Sequence, residues 1–421
     1  MNLATTTVDT QAAIDRFLSV RGYTEQLAAP LSAEDQTVQS MPDTSPTKWH
    51  RAHITWFFET FLLAPYEADF SPFDDGYSYL FNSYYEQVGE RYPRPNRGLI
   101  SRPGAAEIGE YREAIDQRVV ALLADADPEL SATLVPLIEL GCHHEQQHQE
   151  LLLMDIKHVL SLNPTEPAYS DNPHVDVADP GPIEWTSFDG GVVSVGRNDD
   201  EDGFSFDNEG PRHDALVHPF QLANRLITCG EWLDFMADDG YHRPEIWLSD
   251  GWHKRLAEGW ESPLYWRQSS SGHRLHTLNG SRPLDRHEPV CHVSFYEADA
   301  YATWAGKRLA TEFEWEHAAH DVPVVGNFQT LHPSGAHGSS GLSQMYGECW
   351  QWTESAYRPY PGFRPVDGAI GEYNGKFMMN TMVLRGGCSF TPNDHTRLTY
   401  RNFFHPHTRW HLAGVRLADE A

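Results

Sequence analysis

The chain has 421 residues, enough for two domains, and a formal net charge of -29 at pH 7. This acidic balance argues against nucleic acid or an anionic membrane surface as a partner, because both require a basic face. No apolar run approaches the ~18 residues of a membrane-spanning helix, and no signal segment is evident. The five cysteines are widely spaced without a CxxC pair, so neither a disulfide framework nor a thiolate zinc site is predicted. We therefore expect a cytoplasmic enzyme that acts on small molecules.

The first half of the chain has the period of four amphipathic helices, predicted at about 8–29, 46–61, 105–126 and 129–162. Ser45 is a candidate cap for the second helix, Pro46 suits its first position, and Pro65 is expected to end it. The long connection at 66–103 is rich in Asp, Tyr, Pro and Gly, and its aromatic content favours an ordered, functional loop. The pattern predicts a four-helix bundle, whose interior commonly holds metal sites.

The composition changes to a proline-rich segment at 163–182, where we place the domain boundary, with domains at 1–170 and 171–421. Beyond it, short strand-like runs at 190–196, 215–217 and 220–222 alternate with Gly-rich turns. Short helices are predicted at 229–237 and 294–305, and more strand-like pieces follow in the tail from residue 382. This half is predicted to be α+β with much irregular structure. The acidic run at 198–202 could bind Ca2+ through loop oxygens, but we favour a solvated loop.

The most informative motif is His-Glu-Gln-Gln-His at 144–148, on the fourth helix. Residues four apart on a helix lie one turn above each other, so His144 and His148 present two imidazoles on one face. A divalent metal needs this arrangement for two adjacent ligands. Two imidazoles on an inward stripe, beside Glu145 and Gln147, need more polar partners than a plain core supplies. A metal site is therefore favoured over a metal-free pair of core histidines.

The same residues also fit the HExxH pattern of zinc proteases. A metzincin would continue with Gly and His where this chain has Leu151 and Met154. The best candidate for a third ligand is His53, on the inward stripe of the second helix, although an ordinary core histidine is an equal alternative there. A three-histidine site with open positions suits Fe(II) that accepts both an anionic ligand and O2. Three further histidines are expected to point elsewhere, in structural or exposed positions: His50, His143 and His158.

Two motifs of the first half resemble the DinB-like domain of ergothioneine-pathway sulfoxide synthases of the EgtB type. They are Ser-Pro-Thr-Lys-Trp-His-Arg-Ala-His at 45–53 and His-Glu-Gln-Gln-His at 144–148. The second half is similar to the formylglycine-generating-enzyme-like fold, which is related to C-type lectins, through the motifs at 190–191, 207–213, 306–316, 384–387 and 400–404. Ala310 replaces a usual proline, and the oxidase cysteines expected after 385–387 are absent. A formylglycine-generating activity is therefore not expected.

The resemblance implies a non-haem Fe(II) enzyme. Such an enzyme uses O2 to join a thiol sulfur to the imidazole C2 of hercynine, which is Nα-trimethylhistidine, and leaves a sulfoxide. In this interpretation the iron ligands are His53, His144 and His148. The residues that would contact hercynine are Gln147, Asn402, Phe403 and Phe404. The two phenylalanines would offer aromatic faces to the quaternary ammonium, a contact worth about 0.5–2 kcal/mol; ordinary core packing is the alternative.

The long connection carries the other residues that the resemblance implies. The adjacent tyrosines Tyr84 and Tyr85 resemble the subtype that accepts free cysteine, and one of them would supply a proton or hydrogen bond near the iron. Arg94 and Arg97 would pair with the cysteine carboxylate, against surface ion pairing as the alternative. Phe404 stands where the mycobacterial subtype has an Asp-containing pattern, which disfavours γ-glutamylcysteine as the thiol. The open alternatives are an ovothiol-pathway synthase, a selenoneine synthase and a non-enzymatic binding module.

Overall fold

The computed structural model describes residues 9–198, 201–336, 341–366 and 371–421. The chain forms two compact units, Met1–Leu162 and Asn163–Ala421. The division falls where the longest helix ends, whereas the sequence analysis places the boundary after residue 170. The proline-rich segment begins the second unit, because the amides of Tyr169 and Ser170 donate to the Leu278 carbonyl at 2.8 and 3.0 Å.

The first unit is helical, and its longest helices match the four predicted ones. Its α-helices are α1 (Thr10–Ala28), α2 (Thr47–Phe58), α3 (Ala64–Tyr66), α4 (Tyr77–Phe81), α5 (Ala105–Ala124) and α6 (Pro128–Leu162). A π-helical turn, Glu59–Leu63, joins α2 to α3, and a 3-10 helix, Arg94–Leu99, lies in the long connection. Helix α6 packs against α1 and α2, and α2 also packs against α5, which forms the predicted bundle.

Two predictions about the ends of the second helix are wrong. The side chain of Ser45 does not cap α2; its hydroxyl accepts a hydrogen bond from Arg97 Nη1 at 2.9 Å. Pro65 does not end the helix, because the π-helical turn places this proline in the first turn of α3. An amide in a first turn has no partner within its helix, so proline is tolerated there.

The second unit is α+β, as predicted. Its strands are β1 (Trp185–Phe188), β2 (Gly191–Val195), β3 (His213–Val217), β4 (Phe220–Ala223), β5 (Trp266–Ser269), β6 (Gly272–Thr277), β7 (Gly280–Pro283), β8 (Arg308–Leu309), β9 (Trp350–Ala356), β10 (Met382–Arg385), β11 (Asn402–Phe404), β12 (Ala413–Gly414) and β13 (Leu417–Glu420). Within the residues described, they form sheets of order β1-β4-β13-β8, β11-β10-β9-β12, β2-β3 and β5-β6-β7. One apolar core packs the helix that contains Trp315 against the first of these sheets, around Phe220 and Leu222.

Three of the described helices of the second unit begin at short polar residues that cap them. The described helices are α7 (Cys229–Ala237), α8 (Ser249–Glu258), α9 (Phe295–Trp304), α10 (Glu312–Ala319) and α11 (Glu372–Gly375), with 3-10 turns at Asp207–Glu209, Gly240–His242 and Pro244–Ile246. Thr228, Ser294 and Thr311 cap α7, α9 and α10 with capping boxes, so the predicted helices at 229–237 and 294–305 are confirmed. Helix α8 and the β5–β7 hairpins were not predicted.

Two further expectations from the sequence concern a Ca2+ site and a membrane-spanning helix. Asp199 and Asp200, in the acidic run considered for Ca2+, lie outside the described residues. Among the described helices, none combines the length and apolarity that a membrane crossing requires.

Candidate metal centre

Three histidines from two helices of the first unit come together in the interior of the bundle. His53 lies on α2, and His144 and His148 lie one turn apart on α6. One ring nitrogen of each histidine lies within 4.8 Å of one in each of the others. The ring centroids are 5.1 Å apart for His53 and His144, 4.7 Å for His53 and His148, and 4.8 Å for His144 and His148. The structure therefore brings together the three ligands predicted from the sequence.

Close packing of α6 against α2 depends on Gly141, one turn before His144. A Cβ atom added at Gly141 would lie 2.3 Å from Cε1 of Phe58, at the end of α2. No side chain fits at that distance, so only glycine lets the phenyl ring of Phe58 pack directly on the backbone of α6. This contact sets the separation of the two helices beside the histidine cluster.

The ring of His53 is fixed by stacking and by one hydrogen bond. Its imidazole stacks on Trp49, with centroids 4.7 Å apart and an interplanar angle of 8°, and on Trp56 at 5.6 Å and 19°. Its Nδ1 lies 2.6 Å from the carbonyl oxygen of Phe81. Because a carbonyl can only accept, Nδ1 carries the proton and the Nε2 lone pair is left for a metal.

His148 is held by a second histidine, His50, which the sequence analysis expected to point elsewhere. The two Nδ1 atoms lie 2.8 Å apart, and Nε2 of His50 lies 3.0 Å from Oδ2 of Asp155. The same carboxylate oxygen accepts the backbone N–H of Ser45 at 2.8 Å. The expectation for His50 is wrong, because on α2 it lies one turn before His53 and faces the same side.

The two other histidines set aside by the sequence analysis have partners away from the cluster. The His143 ring lies 3.2 Å from an Arg16 nitrogen, and Nδ1 of His158 lies 2.7 Å from the Ser40 hydroxyl. His143 is buried and His158 is half-buried. Both therefore occupy structural positions, as expected.

The three clustered imidazoles are neutral at physiological pH. Burial lowers the pKa of His144 to about 4. Burial, and then the neighbouring His144, hold the pKa of His53 well below its usual value. Burial, and then His53, do the same to the pKa of His148. Neutral imidazole is the form that ligates metals.

A divalent metal fits these residues. The Nδ1 atom of His144 is buried and has no hydrogen-bond partner among the residues that the structure describes. A cluster of neutral nitrogen donors, one of them with an unsatisfied buried nitrogen, is costly unless something binds it. The three histidines would hold the metal and leave further positions open for other ligands.

Glu145, the catalytic base of the HExxH interpretation, is occupied by ion pairs. Its carboxylate is fully buried and accepts hydrogen bonds from Arg21 and Arg112, both at 3.0 Å, and from Thr24 at 2.6 Å. Burial raises the pKa of Glu145, but the two arginines outweigh burial and hold it below its usual value. Such a paired carboxylate has a structural role. Gln147, the predicted hercynine contact, is half-buried on the same helix beside His148.

The two tyrosines of the long connection have different surroundings. Tyr85 is buried and packs on Trp56 and Phe57, with ring centroids 5.7 and 6.4 Å away. Trp56 in turn stacks on His53, and the Phe57 centroid lies 4.7 Å from that of His144. Tyr84 is half-buried, and its hydroxyl accepts a hydrogen bond from Arg94. Tyr85 is thus connected to the histidines through aromatic rings, and Tyr84 is connected to the arginines.

Arg94 and Arg97 have no ion-pair partner in the part of the chain that the structure describes. The Arg97 guanidinium lies 3.4 Å from the Trp49 centroid and donates to the hydroxyls of Ser45 and Ser83, at 2.9 and 3.2 Å. Burial, and then the positive charge of Arg94, lower the pKa of Arg97 to about 9. Two neighbouring cations without an ion-pair partner among the described residues leave a positive position that attracts an anion. Because Trp49 also stacks on His53, this position adjoins the histidine cluster.

The residues predicted for hercynine binding in the second unit lie together on β11. Side chains alternate across a strand, so the rings of Phe403 and Phe404 point to opposite faces. Phe403 stacks on Tyr357, with centroids 4.2 Å apart, and Phe404 stacks on His411 at 4.3 Å. The Asn402 side chain accepts a hydrogen bond from the Phe403 amide at 2.8 Å.

Comparison with known proteins gives the family. Residues 16–152 match the DinB superfamily, and residues 182–330 and 320–421 match the sulfatase-modifying factor enzyme 1-like domain. The chain is 33% identical to a hercynine oxygenase of Mycobacterium tuberculosis, over 90% of this chain and 91% of that protein. The chain belongs to the hercynine oxygenase family.

Two further relatives extend this result. A hercynine oxygenase of Mycolicibacterium smegmatis is 30% identical over 90% of this chain and 92% of that protein. The ergothioneine biosynthesis protein 1 of Schizosaccharomyces pombe is 25% identical over 79% of this chain but only 45% of that longer protein. The resemblance to ergothioneine-pathway sulfoxide synthases is thereby confirmed, together with the enzyme class and the two-part fold.

Membership of the hercynine oxygenase family makes the chain a metal-dependent oxygenase that acts on small molecules. The zinc-protease interpretation of the HExxH motif is wrong for two reasons. The chain belongs to a different family, and Glu145 is paired with arginines. The sequence analysis missed His50 and Asp155. A signal was present, because Asp155 lies two turns along α6 from His148 and therefore on the same face.

Proposed function

We propose that the chain binds Fe(II) through His53, His144 and His148 and joins cysteine to hercynine to give hercynyl-cysteine sulfoxide. The observation that carries this proposal is the pairing of two sites in the first unit. One is a cluster of three neutral histidines, and the other is a pair of arginines without a carboxylate partner among the described residues. An enzyme that brings a thiol amino acid to a metal needs both.

The neutral ligand set favours iron that takes anionic partners. Three imidazoles leave the charge of a divalent ion uncompensated, so the ion attracts a thiolate. When bound, Fe(II) supplies the one-electron chemistry that O2 requires. The protein holds the ligand rings in place by stacking His53 between indoles and by bonding it to the Phe81 carbonyl.

Arg94 and Arg97 are proposed to bind the cysteine carboxylate. A guanidinium matches a carboxylate with two parallel hydrogen bonds, and Arg97 has a buried Nε without a partner in the described structure. Like-charge repulsion between the two arginines would be relieved by the bound anion. Free cysteine is preferred over γ-glutamylcysteine because Phe404 replaces the Asp-containing pattern of the mycobacterial subtype.

One of the two tyrosines is proposed to supply a proton or hydrogen bond to the reacting oxygen. The family resemblance supports this role, and the structure offers two different settings for it. Tyr85 is buried among the rings that contact His53 and His144, whereas Tyr84 accepts a hydrogen bond from Arg94. Without this proton the thiol is open to oxidation to a sulfinate.

We propose four residues as hercynine contacts, which are Gln147, Asn402, Phe403 and Phe404. Asn402 has an amide group for the carboxylate of hercynine, and Phe403 and Phe404 have rings for its quaternary ammonium. Phe404 is the preferred ring of the two. Phe403 stacks on Tyr357 and Phe377, at 4.2 and 5.7 Å, whereas Phe404 stacks on His411 at 4.3 Å and meets Trp410 edge-on at 6.2 Å. These assignments come from the family resemblance.

The proposed reaction is balanced with O2 as the only oxidant. The imidazole C2–H and the thiol S–H bonds break, a C–S bond forms, one oxygen atom goes to sulfur and the other leaves as water. The test is anaerobic loading of the protein with Fe(II), addition of hercynine, cysteine and O2, and mass spectrometry of the product. Hercynyl-cysteine sulfoxide is expected. Its absence from iron-loaded protein would overturn the proposal.

The same assay separates the alternatives. Product with histidine but not with hercynine would indicate an ovothiol-pathway synthase. Product only with a selenosugar in place of cysteine would indicate a selenoneine synthase. Product with γ-glutamylcysteine but not with cysteine would reject the proposed thiol. An absence of product with every pair would reject all of these substrate pairs for this oxygenase.

A further inference from the structure

The three histidines of the metal centre are supported in three different ways. His53 is bonded to a backbone carbonyl, and the buried Nδ1 of His144 has no hydrogen-bond partner in the described ranges. His148 is linked to a carboxylate, through His50 and Asp155, and is the one histidine of the three with such a link among the described residues. The sequence analysis assigned no role to these two supporting residues.

The hydrogen bonds from Asp155 through His50 to His148 determine which ring nitrogen of each histidine carries the proton. Oδ2 of Asp155 accepts from the Ser45 amide at 2.8 Å and from His50 Nε2 at 3.0 Å. A neutral His50 with its proton on Nε2 has an acceptor at Nδ1. The His148 Nδ1, 2.8 Å away, must then be the donor. The Nε2 of His148 is left with its lone pair.

The hydrogen bonds that link Asp155, His50 and His148 are made by side chains in the interior of the first unit. His50 and Asp155 are 2% and 4% exposed, so water does not compete for their hydrogen bonds. The Ser45 amide that holds Asp155 lies just before α2, the helix that carries both His50 and His53. The position of the carboxylate is therefore coupled to the start of the helix that bears one ligand and one supporting histidine.

We propose that Asp155 and His50 are positioning residues of the metal centre, which hold the proton of His148 on Nδ1 and keep Nε2 directed at the metal. Through His50, the carboxylate also makes His148 a stronger donor than a free imidazole. The three-histidine set itself has no carboxylate, and Asp155 supplies negative charge one residue further out. This inference rests on the proposed metal site and extends it beyond the three ligands.

The test measures metal affinity, without turnover. Metal-free wild-type protein is titrated with Co2+, beside Asp155→Asn, His50→Phe and the double variant. The asparagine oxygen can still accept both hydrogen bonds, so Asp155→Asn removes mainly the charge. Each single variant is expected to bind Co2+ about 10–100-fold more weakly. Asp155→Asn should cause no further loss in the His50→Phe background, because the carboxylate acts through His50.

Spectra and a matched control separate positioning from general damage to the fold. The visible absorption of bound Co2+ should move to lower energy in Asp155→Asn, because the His148 imidazole becomes a weaker donor. His158→Gln removes a half-buried histidine of the same helix that bonds to Ser40, and it should leave the affinity for Co2+ unchanged.

Three outcomes would contradict the inference. Asp155→Asn with wild-type affinity and spectrum would remove the carboxylate from the metal centre. An equal loss from Asp155→Asn with and without His50 would show that the carboxylate acts on the fold rather than through His50. Wild-type protein that binds no Co2+ would overturn the three-histidine site itself, a failure distinct from the other two.

Discussion

Helix α6 carries two polar clusters of opposite character within one five-residue motif. On one side, Glu145 accepts hydrogen bonds from Arg21, Arg112 and Thr24 at 2.6–3.0 Å, and its charge is matched inside the protein. On the other side, His144 and His148 are neutral and share the interior with His53.

The difference shows how burial can serve either structure or function. A buried charge with all its partners in the protein holds the fold together and has no capacity for an external ligand. Neutral imidazoles, and an Arg97 guanidinium without a carboxylate partner among the described residues, leave donors and a positive charge for a metal and an anion. The motif alone does not distinguish the two clusters, since the glutamate of an HExxH motif is the catalytic base in zinc proteases.

The largest expected effect tests the histidine side. His53→Ala removes the only proposed ligand that α2 supplies, so bound iron and product formation should both fall to background. Metal analysis and the hercynine assay measure the two losses. His143→Gln is the control, because this histidine lies beside His144 but bonds to Arg16. Retained iron and turnover in His53→Ala would remove His53 from the ligand set.

The next effect tests the ion pairs of Glu145 with Arg21 and Arg112. Glu145→Gln removes the carboxylate that Arg21 and Arg112 share. Arg21 keeps Asp116 and Arg112 keeps Glu25, at 2.7 and 2.6 Å, so the free energy of unfolding should fall by about 1.5–3 kcal/mol. Urea unfolding measures this loss. Iron per folded chain should stay at the wild-type value, because Glu145 is not a ligand. A variant of normal stability without turnover would instead support Glu145 as a catalytic base.

The fall in the free energy of unfolding caused by Glu145→Gln should also depend on pH. Burial raises the pKa of Glu145, but the arginines outweigh burial and hold it below its usual value. A lowered carboxyl pKa contributes stability above the unfolded value of about 4.3 and loses it as the pH falls through the folded value. The difference between wild type and Glu145→Gln should therefore shrink as the pH is lowered below about 4.3.

A third effect sharpens the contrast between paired and unpaired arginines. Arg97→Leu removes a charge-assisted partner of the cysteine carboxylate, worth about 1.5–3 kcal/mol, so the KM for cysteine should rise about 10–100-fold. Cysteamine, which has no carboxylate, should show little change. Arg91→Gln is the control, since this exposed arginine of the same loop pairs with Glu86 at 2.7 Å. An equal effect on cysteamine would argue against carboxylate recognition.

A fourth effect concerns the two tyrosines. Tyr84→Phe and Tyr85→Phe each remove one hydroxyl, and for one of them the product should shift from hercynyl-cysteine sulfoxide towards cysteine sulfinate. The ratio of the two products, measured by mass spectrometry, reports the loss of the proton donor. An unchanged ratio in both variants would discard the role for either tyrosine.

The smallest expected effect concerns the second unit. Phe404→Leu removes a cation–π contact of about 0.5–2 kcal/mol, so the KM for hercynine should rise about 2–30-fold. Phe403→Leu serves as the comparison, because Phe403 lies on the opposite face of β11 and packs on Tyr357. A larger effect from Phe403→Leu would exchange the proposed roles of the two rings.

Much of the first unit could be predicted because helices repeat locally. The period of 3.6 residues places His144 above His148 and sets the bounds of α1, α5 and α6 within a few residues. The helices predicted at 229–237 and 294–305 match α7 and α9, which begin after the capping residues Thr228 and Ser294. The end of α2 could not be predicted, because a π-helical turn shifts the hydrogen bonding before Pro65.

The sequence by itself determined the two-part fold, the His144 and His148 pair on one helix face and the family resemblance, because short-range spacing and motifs carry that information. Only the tertiary structure decided the partners of each side chain. It paired Glu145 with Arg21 and Arg112, left Arg97 without a carboxylate among the described residues, and linked Asp155 to His148 through His50. These pairings join residues far apart in the chain, so they depend on how the helices pack and not on the spacing within any one of them.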